Sequence, residues 1–235
     1  MIKRKYIKVH RTQFGTTEEK IEMKNKQNQT KFVILVAMFM SIQIVMTLIP
    51  FLGFIPIGAV NITTLHIPTI LAGILLGVKG GTLVGMTFGL MSLINATIRP
   101  GLLSFMFSPF APAPATFNGN PLSLIIAFLP RIMLGVFVAL IYQFIKKKQW
   151  KMPAATIATV VAASLHTLMV LSLWFIIFAT PLSVAIDVDG VQGVLMFLAG
   201  IIINNAIFEV ILAGVLVTAF VSALEPIVKR MVNEL

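Results

Sequence analysis

The stretch Lys-Phe-Val-Ile-Leu-Val-Ala-Met-Phe-Met-Ser-Ile-Gln-Ile-Val-Met-Thr-Leu-Ile-Pro, residues 31–50, decides the fold class. It stays apolar for the ~20 residues that a helix needs to cross a bilayer. No small-residue cleavage site follows it, so it reads as a retained span and not as a removed leader. On its amino-terminal side, residues 1–30 are polar and basic, with Lys3, Arg4, Lys5, Lys8, Arg11 and Lys20. They hold too few apolar groups to build a core, and a disordered tail or a loose surface helix is expected there. Met23, which opens Met-Lys-Asn-Lys-Gln-Asn-Gln-Thr-Lys, reads as an equally good start for the functional chain.

On the carboxyl-terminal side, apolar runs recur at 62–78, 80–98, 122–145, 153–180 and 194–225. Hydrophobic residues make up 58% of the 235 and charged residues 11%, whereas soluble domains carry roughly 25% charge. The runs are too long and too unbroken for barrel strands. In lipid that leaves helices, whose backbone bonds close within each segment. The fold class expected is all-α: a bundle of six transmembrane helices over residues 31–235, the last one long enough to tilt or emerge.

The breaks between runs carry the usual chemistry. Pro50, Gly53 and Pro56 end the first run, and Val78-Lys79-Gly80-Gly81 predicts a tight turn between the second and third. Pro100, Pro109, Pro112, Pro114 and Pro121 exclude regular helix after the third. Lys146-Lys147-Lys148-Gln149-Trp150-Lys151 and Asp187-Val188-Asp189-Gly190 divide the rest. With the amino terminus inside, sixteen of the eighteen Lys and Arg fall on cytoplasmic segments, with Arg131 inside a span and Arg99 alone outside. That bias predicts both termini to be cytoplasmic. The net charge of +10 is therefore a mark of topology; its distribution argues against nucleic acid.

Small residues recur at four-residue spacing, which aligns them on one helix face and lets backbones approach. Gly73, Gly77, Gly81, Gly85 and Gly89 do so in the second and third runs, and Ala154, Ala158 and Ala162 in the fifth. Packing within the bundle is the expected use. Ala37 and Ser41 form the same pattern in the first run, where internal packing and docking to another membrane protein are both open.

Polar groups inside this pattern are the functional signal, because an ionisable side chain at mid-bilayer costs at least ~2.5–3.5 kcal/mol. Asn61, Thr63, Thr64 and His66 open the second run; Asn95 and Arg99 close the third. Arg131, His166, Asn204, Asn205 and Glu209 lie deep in the fourth, fifth and sixth. Each also has a structural reading. Arg131 with Glu209 suits a buried ion pair, His166 a packed histidine, Asn204 and Asn205 interhelical glue, and Arg99 a snorkelling cation. Together they share one half of the membrane, which predicts an outward-facing pocket. Two arginines among several amides suit a ligand with a carboxylate plus hydroxyl or amide groups.

Catalytic motifs do not occur. There is no phosphate-binding Gly-x-x-x-x-Gly-Lys-Ser/Thr loop, no Gly-x-Ser-x-Gly elbow and no His-Glu-x-x-His. Cysteine is missing and the three histidines are far apart, so no metal site, cofactor or enzymatic activity is expected. Residues 99–121, with Leu102-Leu103 and Ser104-Phe105-Met106-Phe107-Ser108 between prolines, read as a lid over the pocket.

These residues resemble a known family. Asn-Ile-Thr-Thr-Leu-His-Ile-Pro (61–68), Gly-Ile-Leu-Leu-Gly-Val-Lys-Gly-Gly (73–81), Ser-Leu-Ile-Asn-Ala-Thr-Ile-Arg-Pro (92–100), Ser-Phe-Met-Phe-Ser-Pro-Phe (104–110) and Leu-Pro-Arg-Ile-Met-Leu-Gly (129–135) are similar to the substrate-binding S component of energy-coupling factor (ECF) vitamin transporters. The run 104–110 and Asn-Asn-Ala-Ile-Phe-Glu (204–209) look most like the pantothenate members. The resemblance implies a six-helix subunit in the cell membrane that captures a vitamin outside. It implies docking on a transmembrane scaffold subunit with two cytosolic ATPases, followed by toppling to release the substrate inside. Ala37 and Ser41 match the family's small-xxx-small docking motif, with serine for the usual second alanine. Asn61, Thr64, His66, Asn95, Arg99, Ser108, Arg131, Asn204, Asn205 and Glu209 are the candidate substrate-binding residues. A self-sufficient carrier with His166 or Glu209 as proton relay and a structural subunit without ligand are the competing readings.

Overall fold

A computed structural model describes residues 17–57, 60–113, 119–147 and 154–233. Helix α1 (Thr17–Leu48) leads through the short α2 (Pro50–Gly53) into strands β1 (Phe54–Ile57) and β2 (Val60–Thr63). Then come α3 (Ile67–Ile98), a 3-10 turn at Ser104–Met106, α4 (Ser123–Lys147) and α5 (Ala154–Ala185). Helix α6 (Gly190–Ile201), a π-helical segment (Ile202–Ala206) and α7 (Ile207–Asn233) complete the chain. Helix α1 begins within the stretch read from sequence as a tail, and residues 1–16 of that stretch lie outside the described residues.

Among the described residues, five helical stretches are long and apolar enough to cross a membrane: Asn25–Leu48, Ile67–Ile98, Ser123–Lys147, Ala154–Ala185 and Gly190–Val228. The expected second and third spans both fall on α3, and Gly77 explains how. Its φ of 73° and ψ of −167° lie outside the helical region, in backbone space open essentially to glycine. A Cβ on Gly80 would sit 3.3 Å from the Ala72 carbonyl oxygen, eight residues earlier. A straight helix would separate such residues by roughly 12 Å. The chain therefore doubles back at Gly77, and α3 is two arms. Three glycines make the reversal and its packing possible: Gly73 and Gly81, one on each arm, both abut the Gly135 backbone of α4.

The glycine stripe continues along this seam. Side chains at Gly85 and Gly89 would collide with the backbone of Arg131 and Ala127. The small residues thus serve internal packing, letting dispersion contacts form where lipid offers no hydrophobic drive between helices. Ala158 and Ala162 are fully buried in the core that joins α1, α3, α4, α5 and α7. A second cluster joins the 3-10 turn, Ile126, α5 and α6 through Phe105, Met106, Trp174, Phe178 and Leu182.

The β-hairpin is an addition to the expected all-helical bundle. Phe54 pairs with Thr63 and Ile57 with Val60, antiparallel. Pro56 denies this stretch a helix, and Ile55, Ile57, Val60, Ile62 and Thr63 are β-branched. The first arm of α3 accordingly starts at Ile67, not at residue 62. The Thr64 N–H donates to the Gly53 carbonyl (3.0 Å) and its hydroxyl to the Leu52 carbonyl (2.6 Å), fixing the exit from the hairpin.

The last span is longer than a bilayer requires, 39 residues from Gly190 to Val228, with the π segment inside it. The two ends of the bundle are chemically distinct. Arg99 reaches the Leu48 carbonyl at one end, and at the other Lys146 pairs with Glu225 and stands 4.9 Å from the Tyr142 ring centroid.

Candidate functional site

A cavity of about 490 Å³ opens between the hairpin exit, the second arm of α3, the 3-10 turn, α4, α5 and α7. Its wall is apolar with a few convergent polar groups, the usual make-up of a small-molecule site. His66, Asn95, Arg131 and Glu209 stand in this wall, drawn together from four elements, as does His166 from α5.

Arg131 is the central group, 7% exposed and on the buried face of α4. Its neighbour Pro130 lies inside the helix and has no N–H, so the Ile126 carbonyl four residues back loses its helical donor. Arg131 Nη1 donates to that carbonyl instead. The guanidinium carbon lies 4.7 Å from the Phe107 ring centroid and 5.5 Å from that of Phe88, a cation held between two aromatic faces. Its Nε is buried with no hydrogen-bond partner. Three more buried wall atoms share that state: His66 Nε2, His166 Nε2 and Trp174 Nε1. Buried polar atoms are nearly always satisfied, so four unpartnered ones on residues of a single cavity wall are a departure from the ordinary interior.

Arg131 and Glu209 do not pair. Glu209 Oε1 accepts the Thr63 N–H at 2.7 Å and the Thr63 hydroxyl at 2.9 Å. His166 stacks with Phe88, centroids 6.3 Å apart.

Other candidates lie elsewhere. Thr64 is buried against the Leu52 carbonyl. Arg99 is exposed, its Nη2 3.4 Å from the Leu48 carbonyl. The Ser108 hydroxyl meets that of Thr97 at 2.7 Å and accepts the Phe110 N–H, tying the Pro-rich segment to α3. Asn204 is exposed and donates to the Gly200 carbonyl at 2.9 Å. Asn205 keeps a buried, unpartnered Oδ1 outside the cavity wall. The Asn61 side chain lies outside the described residues.

The wall also holds residues that the sequence reading did not single out for binding: Phe88, Ser92, Ser104, Phe107, Thr167 and Trp174. Ser104 and Phe107 stood in the segment read as a lid, and Gly101 and Leu103 of that segment also line the cavity. Residues 114–118 of the same segment lie outside the described residues.

Ala37 and Ser41 are exposed on α1, linked by a 2.8 Å bond from the Ser41 hydroxyl to the Ala37 carbonyl. They do not pack inside the bundle. Val33, Ile34, Met38 and Ile42 lie exposed beside them, a surface made for lipid or for another membrane protein.

Apolar helices around a cavity with an aromatic-bracketed cation in its wall define a multi-pass membrane protein built to hold a small molecule. Residues 31–221 match the family of ECF transporter substrate-specific components, and the chain belongs to that family. It is similar to the pantothenic acid transporter PanT of Lactococcus lactis subsp. cremoris, with 32% identity over 200 residues, 85% of this chain and 96% of the relative. It is also similar to the pantothenate transporter PanT of Leuconostoc mesenteroides subsp. mesenteroides, with 31% identity over 211 residues, 86% of this chain and 96% of the relative. The protein is thus a transport component of the cell membrane.

Proposed function

We propose that this chain captures pantothenate in the Arg131 cavity and delivers it as part of an ATP-driven ECF importer. The observation that carries this reading is Arg131. Its guanidinium is buried in the wall, has a free Nε, and forms no ion pair among the described residues. An uncompensated cation inside a membrane protein is costly, and a carboxylate ligand would offset that cost by two charge-assisted hydrogen bonds. Pantothenate has one carboxylate, two hydroxyls and an amide. Ser92, Asn95, Ser104, His66 and His166 supply neutral donors and acceptors around the same space. The names of both relatives support the choice of vitamin.

The remaining parts belong to the same proposal. The two arms of α3 are the second and third of six membrane helices, both termini face the cytoplasm, and the cavity opens outward. A transmembrane scaffold subunit docks on the Ala37–Ser41 face of α1, and two cytosolic ATPases supply the energy.

The test is equilibrium binding of labelled pantothenate to the purified chain alone in detergent, followed by uptake in vesicles with and without the partner subunits. Tight binding by the isolated chain, with uptake only when partners and ATP are present, is the expected result. Uptake by the chain alone under a proton gradient would instead make it a self-sufficient carrier. No binding of pantothenate or of other water-soluble vitamins would overturn the capture reading.

A further inference from the structure

Helices α5 and α7 are in close contact over only part of their length. Toward the Ala154 end they meet: the Thr156 and Thr218 hydroxyls lie 2.6 Å apart, and a Cβ on Gly214 would sit 3.5 Å from the Val160 side chain. Further along they part. A groove of about 330 Å³ opens there between Ser164, Thr167 and Leu168 of α5 and Ala206, Ile207 and Val210 of the last span. Ala206, where the π segment ends, is buried in it, whereas Leu168 and Ile207 are half exposed, so the groove opens on the outer surface of the bundle. Thr167 and Val210 line this groove and the Arg131 cavity alike. At this level, among the described residues, two side chains stand between the cavity and the surroundings of the bundle.

We propose that a lipid acyl chain lies in this groove and completes the cavity wall behind Thr167 and Val210. Depth selects a lipid tail over a headgroup. Residues 164–168 lie about 15–21 Å along α5 from Ala154, midway through a hydrocarbon core of roughly 30 Å. The lining selects hydrocarbon over water. A bound water needs two to four polar partners, and the groove offers two hydroxyls, those of Ser164 and Thr167, among apolar side chains. Size selects a single chain over a partner helix, since one helical turn about 10 Å across fills roughly 400 Å³. A groove left empty would forfeit the dispersion contacts that a flexible chain supplies. The lipid site stands whichever vitamin the cavity holds.

Photolabelling of the full chain in nanodiscs tests this, using a phosphatidylcholine with a diazirine near the end of one acyl chain and mass spectrometry to locate adducts. Thr167 and Val210 should be labelled at least as often as Val215, which is 64% exposed on the same helix as Val210. Ala206→Phe fills the groove and should cut their labelling about tenfold, since a space packed to interior density admits no chain. Labelling of Val215 should stay as it was. If Ala206→Phe does not fold, Ser164→Phe fills the groove from the facing helix and decides the same point. Saturating pantothenate should leave the groove adducts unchanged. Sparse labelling of Thr167 and Val210 beside Val215, or labelling that persists in the filled variants, would overturn the acyl-chain site. Adducts displaced by pantothenate would make the groove part of the vitamin site and overturn it as well. Adducts that vanish on assembly with the scaffold and ATPase subunits would assign the face to a partner helix, against the proposal. Groove adducts without pantothenate binding would support the lipid site and reject the substrate.

Discussion

Arg131 takes the carbonyl of Ile126 because Pro130 cannot. A helix-breaking residue and a buried cation solve each other's problem: the proline frees an acceptor, and the arginine satisfies it through Nη1 while its Nε stays unpartnered. The pairing fixes the guanidinium between Phe88 and Phe107 before any ligand arrives. Preorganisation of this kind lowers the cost of binding.

Replacing Arg131 tests the anion site. Arg131→Ala should abolish measurable pantothenate binding, and Arg131→Lys should weaken it by about 10–100-fold, since an ammonium cannot hold a carboxylate bidentately. Binding isotherms in detergent check both. Affinity unchanged in the alanine variant would assign Arg131 to structure alone.

Restoring the missing donor is a finer probe. Pro130→Ala returns an N–H to the Ile126 carbonyl, in competition with Arg131. The helix should gain stability while ligand affinity falls by about tenfold, the loss of roughly one fixed hydrogen bond. A parallel rise in thermal midpoint and dissociation constant is the signature to look for.

The asparagines separate wall from surface. Asn95 lines the cavity, whereas Asn204 is exposed and bonded to its own helix. Asn95→Leu should weaken pantothenate binding by about tenfold, and Asn204→Ala should leave it unchanged. The reverse order would relocate the ligand toward the π segment.

The glycine seam is a matter of stability. Gly81→Val places a side chain on the Gly135 backbone and should cost about 2–4 kcal/mol. Gly77→Ala forces a Cβ into a conformation essentially reserved for glycine, at about 1–3 kcal/mol. Thermal unfolding in detergent should show both losses without a change in ligand stoichiometry at low temperature.

The exposed face of α1 tests docking. Ala37→Leu adds bulk on an exposed face of α1. Binding by the isolated chain should stay as it was while reconstituted uptake is lost. Uptake unaffected by the substitution would move the scaffold contact to another face.

Hydropathy is local, so residues 31–50 and the runs that follow were enough to determine a bundle of membrane helices, and the buried Arg131, His166 and Glu209 were enough to signal a polar site within it. The quoted motifs were enough to point to the family. Sequence could not decide which polar groups share a space, because that depends on how each helix is rotated against its neighbours. Asn204 and Glu209 lie five positions apart on one continuous span, and the π segment and α7 turn the first outward and the second onto the cavity. Nor could it show that Glu209 answers to Thr63 and not to Arg131, since Thr63 was read as the opening of a membrane helix and not as the end of a hairpin strand. The reversal at Gly77 was legible as a turn. Its close packing on Gly135 was not, because only the folded backbone brings those two residues together.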